Sequence, residues 1–169
     1  MVESDYSHSK DKLVKYTTQS AVHDRHHFGI DIKANEIDLM GEPDYIGVQD
    51  GEPGVEYAMA NKFIKNLNIM IRSTDAPILI HMKTNGGFWE EGMAIYDAIK
   101  ACPNEVCILN YTHARSMSSI ILQAADRRVM MPHSTFMYHM GTMGYEGTVK
   151  QFLTEVEQLK IANEQMLDI

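Results

Sequence analysis

The spacing of apolar positions along this chain changes at about Phe28. Before it, residues 1–27 carry charges and polar groups without a sustained apolar period, which predicts a flexible N-terminal arm. After it, short apolar runs alternate with helical periods, the pattern of an α/β domain over residues 28–169. Glu36 to Met40 (EIDLM) reads as a strand, and Gly41 to Gly54, rich in Gly, Pro and Asp, as a loop. Val55, Met59, Phe63, Leu67 and Ile71 recur every fourth residue, so they share one side of a helix that must face a core. Pro77 then precedes a buried strand, Ile78 to Lys83.

The alternation repeats. Glu90 to Ala101 is predicted helical, with Ile95, Ala98, Ile99 and Cys102 as its inward stripe, and Pro103 ends it. Val106 to Asn110 reads as a second buried strand and Ser116 to Ala125 as an apolar helix. Val129 to Met131 and Thr135 to Met140 read as two further strands. Strand, helix, strand in register is the order that right-handed crossovers between parallel strands require. Gly141, Gly144 and Gly147 punctuate a loop, after which Val149, Phe152, Val156, Leu159 and Met166 mark a long helix with nearly heptad spacing. Such a stripe fits packing against another helix, including one from a neighbouring subunit.

Composition narrows the partners. Fifteen Lys and Arg against 23 Asp and Glu leave a formal charge of −8, which opposes a polyanion, so nucleic acid is not expected as a partner. No apolar run approaches the roughly 20 residues of a membrane-spanning helix, and the polar start lacks a signal-peptide core, so a cytoplasmic protein without a membrane partner is expected. The two cysteines, Cys102 and Cys107, have no redox or metal spacing and read as small, buried apolar residues. His23, Asp24, His26 and His27 cluster in the arm, but Arg25 sits among them and no matching acidic or Cys set follows, so no metal site is assigned. Thirteen Met suggest adaptable packing or an interface.

Chemistry in parallel α/β sheets lies beyond the carboxyl ends of the strands, which directs attention to two turns. Thr84-Asn85-Gly86-Gly87 lets backbone approach a ligand closely and expose N–H groups. His113-Ala114-Arg115-Ser116-Met117-Ser118-Ser119 passes from strand to helix. Ser116 there is either a helix cap or a nucleophile whose developing charge is met by free N–H groups. Ser118 and Ser119 read as cap or first-turn residues. A serine nucleophile needs a base. Among His81, His113, His133 and His139, only His139 is placed at a strand's carboxyl end before a glycine-rich loop.

Taken in order, ILIHMKTNGG, EEGMAIYDAIK, ARSMSS and RRVMMPHSTFMYHMGTMGYEGT resemble the proteolytic subunit of Clp proteases, a family of serine peptidases, from about Phe28 to the end. The resemblance implies a crotonase-like spiral of β-β-α units whose final long helix forms an oligomerisation handle. It implies that Ser116 is the nucleophile, that His139 is the general base, and that the N–H groups of Gly87 and Met117 form the oxyanion hole. It further implies stacked rings of subunits, unfolded polypeptide as substrate and a separate AAA+ unfoldase that uses ATP. This chain needs no metal or nucleotide of its own for that chemistry, and no G-x-x-x-x-G-K-[ST] run occurs.

Four positions depart from the family pattern. Arg115 stands where a small residue is usual before the serine, Ser118 replaces a glycine, Asn85 replaces a proline, and Met140 replaces a polar residue. The family's third catalytic residue, an aspartate beyond the long helix, has no counterpart before Ile169. Asp168 does not match its position, and Asp126 reads as surface charge beside Arg127 and Arg128. Loss of that acid can cost about four orders of magnitude in turnover. The expectation is therefore a domain cut before its third catalytic residue and poorly active as it stands. The rival expectations are a non-catalytic ring subunit and a crotonase-type acyl-CoA enzyme.

Overall fold

The computed structural model describes residues 18–41 and 54–169. Its element order is α1 (Thr18–Phe28), β1 (Ile30–Asp31), β2 (Glu36–Met40), α2 (Tyr57–Ser73), β3 (Ile78–Thr84) and α3 (Trp89–Lys100). It continues with β4 (Val106–Arg115), α4 (Met117–Gln123), β5 (Arg127–Met130), β6 (Thr135–Met137) and α5 (Val149–Asp168). The strands form one sheet in the order β1-β2-β3-β4-β5, with β6 also on β4. β1 and β2 form an antiparallel pair, and β2 through β6 pair in parallel. The mixed α/β class expected from the alternating pattern is the one observed.

Alternation within the strands decides where the core lies. Ile37 and Leu39 of β2, Ile78, Ile80 and Met82 of β3, and Val106 and Ile108 of β4 are buried. Against them pack Met59, Phe63, Leu67 and Met70 of α2 and Ile95 and Ile99 of α3. The four-residue stripe thus found the right helix but not its first turn. Val55 lies ahead of α2 in extended backbone, paired with Gly87, and the helix begins once the Glu56 carboxylate accepts from the N–H groups of Ala58 and Met59. Ile71, the other end of that stripe, is only partly buried. Most of the predicted loop from Gly41 to Gly54 lies outside the described residues.

The arm expected over residues 1–27 needs correction where the structure describes it. Thr18–Phe28 is a helix held by polar contacts, not by an apolar stripe, which is why periodicity missed it. Arg25 reaches Glu36 at 2.5 Å and Asp38 at 2.7 Å on β2. Lys62 donates to the His27 carbonyl, and Asn66 to that of Phe28, tying the helix end to α2. Burial pushes the Asp38 carboxyl above the ordinary carboxylate range, against the attraction of Arg25 and His81. The remainder of the arm lies outside the described residues.

β4 is twice the length expected for it, and the excess positions the site. Its first half pairs with β5 and its last three residues with β6. Against β3 the register runs from Met82↔Asn110 to Thr84↔Ala114, so β4 spends two more residues than β3 over the same stretch. This bulge redirects the end of the strand. Arg115 and Ser116 are thereby carried beside the Gly86-Gly87 turn at the end of β3.

Candidate active site

The Gly-Gly turn is built for close approach. Gly86 has φ of 100°, and a Cβ there would lie 2.6 Å from Ser116 Cβ and 2.7 Å from the Arg115 carbonyl. A side chain at Gly87 would run into the Val55 backbone. Val55 donates its N–H to the Gly86 carbonyl and accepts from the N–H of Phe88. In a parallel bridge the intervening residue turns its own N–H the other way. That of Gly87 is engaged by no described residue.

Ser116 occupies a conformation that L-residues rarely adopt, φ 52° and ψ −133°. Surrounding bonds hold it there. Its N–H donates to the Met137 carbonyl of β6, and its carbonyl accepts from both the N–H and the hydroxyl of Ser119. Ser118 accepts from the Arg115 N–H and donates to the Arg115 carbonyl, closing a clamp around the residue before the turn. Both supporting serines are fully buried. Backbone strain of this kind, over-determined by its surroundings, concentrates at functional sites.

The two readings of Ser116 left open by the sequence separate on this geometry. Ser116 stands at the N-cap position of α4, yet its side chain makes no capping bond, and its hydroxyl has no hydrogen-bond partner among the described residues. Met117, immediately after it, is buried against Gly92 of α3, where a Cβ would lie 2.6 Å from the Met117 sulfur. The Met117 N–H, in the first turn of α4, is likewise unengaged by described residues.

His139 lies two residues beyond β6, which ends at Met137 and not at Met140 as the pattern suggested. Gly87, Ser116, Met117 and His139 line one cleft of about 490 Å³ together with residues from the starts of α3 and α4 and from α5. The four residues singled out by sequence therefore line the same cleft, with no hydrogen bond between Ser116 and His139. His139 makes no hydrogen bond among the described residues, and neither Asp168 nor Asp126 lines the cleft. Asp126 is exposed beside Arg127 and Arg128, as expected, and its carboxylate also accepts from the Val106 N–H at 2.8 Å at the start of β4.

Of the other described histidines His133 is exposed in the turn before β6, and the rest, with the cysteines, lie away from the cleft. His81 binds the Tyr111 hydroxyl at 2.7 Å on β3 and β4, and His113 lies 3.1 Å from the Arg115 guanidinium. Cys102 and Cys107 are half-buried, not fully buried as expected, and burial pushes the Cys102 thiol up, away from a reactive thiolate. His23, His26 and His27 lie on α1, and among the described residues no set of three or more His, Cys, Asp or Glu side chains is placed to hold a metal. Among the same residues no helix is long and apolar enough to cross a membrane.

A mostly parallel α/β sheet with a Gly-Gly turn, a strained serine and a histidine on one cleft defines the class, an α/β protein with a serine–histidine cleft. The family follows from comparison: the family model described as Clp protease matches residues 51–169, and the chain belongs to that family. The ATP-dependent Clp protease proteolytic subunit of Deinococcus radiodurans is 27% identical over 118 residues, which cover 68% of this chain and 58% of that protein. Proteolytic subunit 2 of Pseudomonas aeruginosa is 28% identical over 112 residues, covering 63% and 56%. The corresponding subunit of Chlorella vulgaris is 33% identical over 84 residues, covering 48% and 42%. The chain thus spans a little over half the length of the first two.

Proposed function

We propose that this chain is a serine peptidase subunit of the Clp type that hydrolyses peptide bonds of unfolded polypeptides. The observation that carries the reading is Ser116. Its backbone is held in a strained conformation, its hydroxyl caps nothing, and it shares a cleft with His139 and two unengaged N–H groups. In this reading Ser116 Oγ attacks the scissile carbonyl carbon while His139 takes the hydroxyl proton. The N–H groups of Gly87 and Met117 hold the resulting oxyanion. Collapse breaks the C–N bond, the proton on His139 passes to the leaving amine, and water then hydrolyses the acyl-serine. Stacked rings and a separate ATP-driven unfoldase belong to the same proposal, supported by the names of the relatives as ATP-dependent proteolytic subunits.

Labelling with a fluorescent fluorophosphonate, mapped by mass spectrometry, tests it. Ser116 is expected to carry the label in the folded, assembled protein, and Ser116→Ala is expected to abolish both labelling and peptide cleavage. A folded protein in which Ser116 never reacts overturns the reading. Acyl-CoA raising the melting temperature without any labelling points to the crotonase-type alternative.

A further inference from the structure

His139 sits in a segment, Tyr138 to Gly147, that belongs to no helix or strand. Its backbone is therefore not fixed by ladder bonds of its own. Two hydrogen bonds flank it instead, each two residues away. Upstream, the Met137 carbonyl accepts from the Ser116 N–H at 3.1 Å. Downstream, the Gly141 N–H donates to Asn163 Oδ1 at 2.9 Å, and among the described residues this is the only hydrogen bond that the segment makes. The first bond ties the chain that carries the histidine to the serine itself, and the second ties it to α5.

The second attachment is shaped from both sides. A Cβ at Gly141 would lie 3.0 Å from Leu159 Cδ1 and 3.4 Å from Asn163 Oδ1, so the absence of a side chain lets the segment lie against α5. On the helix, Asn163 is half-buried and stands three residues before Met166, the buried residue of α5. Residues three apart share a face, so the accepting oxygen projects from the part of the helix that is anchored to the body.

We infer that Asn163 is a positioning residue for His139. The inference rests on the reading of Ser116 and His139 as nucleophile and base, and adds the group that holds the base in reach. A general base must stay within hydrogen-bond distance of the proton it takes when substrate is bound. Two residues of chain span at most about 7 Å, so bonds at Met137 and Gly141 confine the His139 backbone from both directions. Without the Asn163 oxygen it is held from one direction only. A single exposed hydrogen bond adds little to global stability, so its loss is felt in the geometry of the site and not in the fold.

The experiment follows fluorophosphonate labelling of Ser116 in the full chain carrying Asn163→Leu, which keeps the bulk and removes the acceptor, or Asn163→Asp. The Leu variant is expected to label about 10–100-fold more slowly at saturating reagent with an unchanged half-saturating concentration, the pattern of displaced reacting groups. The Asp variant should stay within about threefold of the wild type, because its carboxylate also accepts an N–H. All three proteins should melt at the same temperature. If the Leu variant fails to fold, Asn163→Ala takes its place in the same comparison. Labelling at the wild-type rate without the acceptor, a loss carried by the half-saturating concentration, or an Asp variant as slow as the Leu variant overturns the inference. Hydrogen exchange at the Gly141 amide, read by mass spectrometry at single-residue resolution, separates this inference from the reading beneath it. Where the wild type never labels at Ser116, faster exchange at Gly141 in the Leu variant than in the other two proteins keeps the suspension of His139 and sinks the peptidase. Unchanged exchange overturns the inference whether or not Ser116 labels.

Discussion

Ser116 keeps a positive φ only because its neighbours leave no room to relax, and Gly86 is the neighbour with the least tolerance. An added methyl at Gly86 would meet Ser116 Cβ at 2.6 Å and the Met117 nitrogen at 2.9 Å, in backbone where φ is 100°. Gly86→Ala is therefore expected to cost about 1–3 kcal/mol in urea unfolding. It should also slow fluorophosphonate labelling about 100-fold, the scale of a small misplacement of reacting groups. Gly144→Ala, with nothing within 4 Å of its Cβ, serves as control and should change stability by less than about 0.5 kcal/mol. At this scale the sequence singled out Ser116, His139, Gly87 and Met117, four residues that line one cleft, because order and residue type carried a family pattern. It was silent on Ser118 and Ser119 as the clamp around the turn. Their hydroxyls act on backbone only three residues away, and a buried serine looks the same in sequence as an exposed cap.

Elements were legible where an apolar period ran through them. β3, α3 and α5 fall within a few residues of expectation, because each carries an uninterrupted stripe or run. β4 was read as ending at Asn110 because Tyr111, Thr112 and His113 break the apolar run, yet pairing with β6 extends the strand to Arg115. α1 escaped because its attachment is ionic. Arg25 faces both Glu36 and Asp38, all of them partly buried, so Arg25→Ala leaves two carboxylates without their cation. It is expected to cost about 1–3 kcal/mol in denaturant unfolding at neutral pH. Asp38→Asn behaves in the opposite sense. Burial holds the folded Asp38 carboxyl above its unfolded value, so the native state keeps that proton to higher pH than the unfolded chain. Its contribution to stability is least favourable above the raised value and improves as pH falls through it toward the ordinary carboxylate range. Asp38→Asn should therefore be more stable than the wild type near neutrality, by a margin that closes on acidification. A loss near neutrality instead would show that attraction to Arg25 outweighs burial.

At the scale of the whole molecule, α5 is the least covered of the described long helices. Met166 is the one buried residue of that helix, and the Asn163 side chain accepts from the Gly141 N–H. Of the heptad-like stripe, Val149 is 77% exposed and Phe152 45%, while Val156 and Leu159 are half-buried; Leu153, beside the stripe, is 61% exposed. Phe136, Tyr138 and Met140, around and beyond β6, add further exposed apolar surface close to His139. Exposed apolar side chains gathered on one helix mark a surface that another surface covers. The stripe was visible in the sequence, but its exposure was not, since a period shows which residues share a face and not what covers it. If a second copy of the chain covers that face, as the ring proposal requires, each buried Phe or Leu contributes about 1.5–3 kcal/mol to association. Phe152→Glu with Leu153→Glu should then weaken assembly by at least about 100-fold in dissociation constant, read by sedimentation velocity over a concentration series. The isolated protomer should keep its melting temperature, because neither side chain belongs to the core. Retention of the full assembly by that variant would remove α5 from the interface and, with it, the support its exposed stripe gives to a ring.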